Sequence, residues 1–124
     1  MPTISLWPDI FATAAGIRGV RKILEEAGDD LGERSGNVLR FRVRVSRAVS
    51  GFLYLCEVVV KNDNGIELCR VETGLTGFPA NVYTADGYQA LGVKDEAELM
   101  KHLATVFQSE RTKEILVSLI ANFG

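Results

Sequence analysis

The sequence predicts an α+β fold: an N-terminal helix, a three-stranded antiparallel meander with room for a short fourth strand, and two C-terminal helices packed on one sheet face. Three observations predict it. Apolar residues recur every three or four positions before residue 28 and again after residue 95. Between Val38 and Thr73 the apolar period changes to two. Two turn signals, Ser50-Gly51 and Asn62-Asp63-Asn64-Gly65, divide that stretch into three strands. The 124 residues suit one domain, 1–124.

The first helix is predicted from Pro8 to Ala27. Pro8 fits a first-turn position, where its missing N–H would have had no partner anyway. Ile10, Ala14, Ile17 and Leu24 form an apolar stripe that Phe11, Val20 and Ile23 widen. Gly16 and Gly19 weaken its middle by about 1 kcal/mol each relative to alanine. Gly28-Asp29-Asp30 ends the helix, and residues 28–37, rich in Gly, Asp, Ser and Asn, read as a loop.

From Val38, Leu39, Phe41, Val43 and Val45 point one way, and Arg40, Arg42, Arg44 and Ser46 the other. A hairpin closed over Ser50-Gly51 starts the second strand at Phe52 and opposes Val45 to Cys56, Val43 to Val58 and Arg44 to Glu57. Closing the next turn over Asn62 to Gly65 opposes Glu57 to Arg70. The expected result is a cross-strand ladder Arg44–Glu57–Arg70, each pair contributing about 0.2–1 kcal/mol. Cys56 and Cys69 then lie on one face but diagonally, beyond comfortable disulfide reach. Asn81-Val82-Tyr83-Thr84 fits a short fourth strand ending at the Asp86-Gly87 turn. Asp95 fits an N-cap, followed by the stripe Leu99, Met100, Leu103, Val106 and Phe107. Ser109 fits the cap of a last helix that buries Ile115, Leu116, Leu119 and Ile120.

Lys and Arg total 14 against 16 acids, a net charge of −2, so no global basic field points to nucleic acid or an anionic membrane. No apolar run approaches the roughly 20 residues of a membrane-spanning helix. The first residues lack the basic and apolar regions of a signal peptide, and a cytoplasmic location is expected. Two cysteines fit reduced thiols there.

The composition argues against catalysis and against a cofactor or metal. The single histidine, His102, sits on a predicted helix surface with Leu99 and Glu98 one turn behind it. One histidine and two core cysteines do not make a zinc site. The acid pairs Glu25-Glu26, Asp29-Asp30 and Asp95-Glu96 are sequence neighbours, which point apart on a helix. Tyr54, Tyr83, Tyr88 and His102 are the polar side chains to examine in any pocket between sheet and helices. Gly16-Ile17-Arg18-Gly19 resembles the GxxG loop with which KH domains hold a nucleic-acid backbone, but three consecutive antiparallel strands follow it.

The remaining signal is the sheet face opposite the core. It carries Arg40, Arg42 and Arg44 beside Leu53, Leu55, Val59 and Leu68. Aliphatic anchors bordered by arginine and poor in lysine are the composition of a protein interface. The sequence therefore predicts a non-enzymatic interaction or regulatory module, binding a protein partner or a second copy of itself through Arg40, Arg42, Leu53, Leu55, Val59 and Leu68. The alternative is nucleic-acid binding through Arg18, Arg21, Lys22, Arg40, Arg42 and Arg44.

Overall fold

The computed structural model describes residues 19–60 and 65–123. The expected helix over residues 8–18, its GxxG segment included, and the turn at residues 62–64 lie outside the described residues. The chain runs through α1 (Val20–Arg34), β1 (Arg40–Ala48), β2 (Gly51–Val59), β3 (Gly65–Gly74), β4 (Ala80–Tyr83), β5 (Gln89–Val93), α2 (Glu96–Phe107) and α3 (Glu110–Phe123). The α+β class is as the sequence predicts. The sheet has five strands in the order β1-β2-β3-β4-β5, each antiparallel to the next, rather than three or four.

Helix α1 continues past Ala27 to Arg34, so Gly28-Asp29-Asp30 is helical and not a stop. Burial shows why glycine stands there. Gly28 and Gly32, four residues apart on one helix face, are both buried. A Cβ on Gly28 would lie 2.7 Å from the Cβ of Phe41 on β1. The helix loses about 1 kcal/mol of propensity at such a position and gains a close approach to the sheet. The loop shrinks to Ser35 through Leu39. Gly36 and Asn37 both take positive φ there, and the Ser35 hydroxyl accepts from the Leu39 N–H at 3.1 Å. This reversal lays β1 alongside α1.

The first hairpin closes over Val49-Ser50, with Ala48 opposite Gly51, so the pairing slides by two residues from the expected one. Val43 faces Cys56, Arg42 faces Glu57 and Arg44 faces Leu55. A slide of two leaves every side chain on its expected face. In the second pair Cys56 directly opposes Cys69, not diagonally, and both remain free thiols. One step further the register shifts and Glu57 opposes Glu67. Leu68 is the extra residue of this β-bulge. It turns to the helix side and is 3 % exposed. The carbonyls of Glu67 and Leu68 accept from the Arg111 guanidinium of α3 at 3.2 and 3.4 Å. These part-buried carbonyls at the bulge thus find a charged donor.

Strand β5 is not predicted because its five residues do not alternate cleanly. Gly92 takes φ +66°, the register against β4 shifts between Ala80 and Val82, and the Gly92 N–H is held by the Asn81 side chain at 2.9 Å.

All three described helices contribute to the core on one sheet face. Val20, Ile23 and Leu24 of α1 join Leu99, Leu103 and Val106 of α2 over Cys56, Cys69, Val71, Val82 and Val93. Leu119 of α3 joins Leu39, Val58, Val60 and Leu68 in an adjoining cluster. Phe41 and Phe107 border both clusters and meet edge to face at 5.6 Å. Residues 96–123 form two helices. Asp95 caps α2 by accepting from the Glu98 N–H at 2.9 Å, and the Ser109 hydroxyl accepts from the Thr112 N–H at 3.2 Å before α3.

Candidate functional site

The opposite, outer face takes every second residue of the long strands. Strand β1 supplies Arg40, Arg42 and Arg44. Strand β2 supplies Leu53, Leu55, Glu57 and Val59, and β3 supplies Glu67, Arg70 and Glu72. None of Leu53, Leu55 and Val59 belongs to either core cluster. Leu53 and Leu55 are half-buried, and Val59, opposite Arg40, is 5 % exposed. Leu68, expected here, is instead in the core because the bulge reverses it.

The centre of this face is Glu57. Its carboxylate accepts from Arg42 Nη2 at 3.2 Å and forms an ion pair with Arg44, Nε to Oε1 2.9 Å, so one acid holds two arginines of β1. The side chains are 12 % exposed for Glu57, 33 % for Arg42 and 57 % for Arg44. The expected ladder forms only in its first half. Arg70 lies opposite Leu55 and pairs instead with Glu67 at 2.7 Å. Arg42, rather than the expected Arg44, sits directly across from Glu57. Arg40 is exposed and makes no ion pair among the described residues. At the far side Asn81 donates to Glu72 at 3.2 Å, and Tyr83 lies opposite Arg70. Four arginines and three glutamates therefore share this surface with two half-exposed leucines.

The basic residues of the nucleic-acid alternative are not brought together with this row. Arg18 lies outside the described residues. Arg21 and Lys22 are exposed on α1, on the helix side of the sheet, and Arg21 is bound to Glu25 at 2.8 Å.

The four polar side chains singled out for a pocket do not converge. Tyr88 and His102 share a hydrogen bond of 2.7 Å between the phenol oxygen and Nδ1. Tyr54 borders the helix-side core and Tyr83 is on the outer face. The Cys56 thiol has its pKa pushed well above the ordinary value, first by its hydrogen bond with Cys69 and then by burial. A neutral, buried thiol is a poor nucleophile. Asp86 is held below the usual carboxylate range by the Thr84 hydroxyl, at an exposed turn. No group of three His, Cys, Asp or Glu side chains among the described residues is placed to hold a metal ion. No described helix is long and apolar enough to cross a membrane.

One feature is absent from the sequence reading. A groove of about 880 Å³ runs between α1 and the edge of β1 that pairs with no strand among the described residues. Glu25, Asp29 and Glu33 line its helix side, and Arg40 and Arg42 its strand side. The signal was the spacing of these acids at i, i+4 and i+8, which places them on one helix ridge once α1 is known to extend to Arg34. Comparison with protein-family models, curated proteins and solved structures finds no match for this chain.

Proposed function

We propose that this protein is a non-enzymatic interaction module that binds a protein surface through the outer face of its sheet, a second copy of the chain being the simplest occupant. One observation carries the reading: Leu53 and Leu55 stand on a sheet face that no described helix covers, ringed by Arg40, Arg44 and Arg70 and by Glu57, Glu67 and Glu72. Half-exposed aliphatic side chains in a sheet centre are an apolar surface that a partner can cover. A rim with both charge signs is self-complementary, because a twofold axis can set arginines of one copy against glutamates of the other. Polar side chains that converge on a cavity, which an enzyme would need, are not what this face presents.

The test is light scattering after size exclusion across micromolar concentrations, with a photo-crosslinking residue at position 55 in cells. Expected is either a mass twice the 13.6 kDa of the chain or a discrete crosslinked protein from position 55. Either signal should be lost in Leu53→Glu/Leu55→Glu, with unchanged circular dichroism. A strict monomer that also gives no crosslink from position 55 overturns the reading.

Nucleic-acid binding is the second reading, and exposed Arg40 is what favours it. Against it, Glu57 already holds Arg42 and Arg44, and Glu25 holds Arg21. It requires RNA or DNA affinity at low salt that falls steeply as salt rises.

A further inference from the structure

We propose that the edge of β1 that is unpaired among the described residues, with the groove beside α1, takes an extended strand of a protein partner, added to the sheet next to β1, with basic side chains toward the helix and acidic side chains toward the outer face. This goes beyond the outer-face reading, because it uses the sheet's edge and a different set of residues.

Strand β1 is terminal in the sheet and pairs only with β2 among the described residues. Its nine residues extend over roughly 30 Å, at about 3.3 Å each. The N–H and C=O groups on its free side are a template for another strand. The edge does not face bulk water alone. Helix α1 lies beside it, and the groove of about 880 Å³ between them has Phe41 in its lining. Gly28 and Gly32 also line the groove and keep the helix side of it low.

Charge then selects the occupant. A strand laid along β1 points alternate side chains to the two sheet faces. On the helix side they meet Glu25, Asp29 and Glu33. Glu25 is bound by Arg21, while Asp29 and Glu33 make no ion pair among the described residues. On the outer side they meet Arg40, and then Arg42 and Arg44, whose two charges share the single carboxylate of Glu57, so the row keeps a net positive charge. A matching strand is therefore basic at one parity and acidic at the other.

A second copy does not satisfy this pattern. Antiparallel pairing of β1 with itself about a twofold axis perpendicular to the sheet keeps outer faces together. Every outer cross-strand pair would then be drawn from Arg40, Arg42, Arg44 and Ser46, opposing arginine to arginine. The arginine row thus guards the edge against its own kind and leaves it open to an acidic-parity strand.

The test uses the full chain and a fluorescein-labelled octapeptide of four Lys-Glu repeats. Controls are the block peptide with four Lys followed by four Glu, and an all-Glu octapeptide. Anisotropy reports binding, and amide chemical shifts report where it occurs. Expected are shifts along residues 39–48 of β1 and binding at least about tenfold tighter for the alternating than for the block peptide. Asp29→Lys/Glu33→Lys, on the exposed side of α1, should invert the preference: the alternating peptide weakens by about tenfold and the all-Glu peptide gains. Three results would overturn the proposal. One is no shift in β1 at about 1 mM alternating peptide. Another is equal binding of the alternating and block peptides. The third is peptide-free, concentration-dependent protection of β1 amides, which would assign the edge to a second copy. None of these depends on Leu53 or Leu55, so Leu53→Glu/Leu55→Glu should bind the peptide as the wild type does, whatever becomes of the outer-face reading.

Discussion

The two long hairpins share strand β2, yet only the first keeps simple alternation. Between β1 and β2 the pairing runs unbroken from Arg40–Val59 to Ala48–Gly51. Between β2 and β3 it breaks at Glu57, where the bulge at Leu68 intervenes. The first pair shows how forgiving period-two patterning is. Moving the turn by one residue slides the register by two, so partners change while faces do not. The second shows what patterning does not encode. One extra residue inverts the parity of everything between it and the turn, so Ile66 and Leu68 pack on the helix side while Glu67 moves to the outer face.

Gly51 gives the largest test of this contrast, because it ends one hairpin and begins the other. It opposes both Ala48 and Gly74. A Cβ at Gly51 would fall 1.8 Å from the Thr73 carbonyl oxygen, which is backbone and cannot swing aside. Gly51→Ala is expected to cost about 4 kcal/mol, at the severe end for a single substitution. Gly74→Ala, whose added Cβ would meet nothing within 4 Å, should stay within about 1 kcal/mol. Urea denaturation compares them, and equal midpoints would mean that the strands can separate at Gly51 without loss. The sequence suggests Gly51 as a turn glycine. Its actual reason is the close passage of a neighbouring backbone, since its φ is not positive.

The bulge itself is tested by two leucines of like size. Leu68, turned inward between β2 and α3, should lose about 3 kcal/mol on truncation to alanine. Leu55, on the outer face, should lose no more than about 1 kcal/mol. Similar losses would indicate that Leu55 is as enclosed as Leu68, which would remove the apolar centre of the proposed interaction face.

These particulars show how far the fold is legible in the chain. The strands β1 to β4 and the caps Asp95 and Ser109 follow from alternation and capping chemistry. Both are local and leave a repeated mark. The extension of α1 through Gly28 and Gly32 is hidden because a glycine that permits close packing is spelled the same as one that ends a helix. Strand β5 is hidden because its alternation fails at Gly92. For the site, the arginine row and Leu53, Leu55 and Val59 are on the expected face, while Leu68 is not. The groove beside β1 depends on α1 reaching Glu33, so it is not readable from a helix that stops at Gly28.

The smallest effect lies at Glu57, where the unbroken hairpin meets the bulge. Two arginines of β1 converge on it, but not equivalently. Arg42 is directly opposite and 33 % exposed, whereas Arg44 reaches diagonally and is 57 % exposed. Water and salt screen the second pair more, although its contact is the shorter, 2.9 against 3.2 Å. Distance alone would rank Arg44 first; screening and the side-chain entropy of a diagonal reach rank Arg42 first. Double-mutant cycles pairing Glu57→Gln with Arg42→Met and with Arg44→Met separate the two, since methionine retains part of the apolar stem. The expected coupling is about 1 kcal/mol for Arg42 and about 0.3 kcal/mol for Arg44. Added salt should erode the Arg44 value first. The reverse order would show that contact distance outweighs screening on this face, and that Arg44, rather than Arg42, ties β1 to β2 just before the bulge.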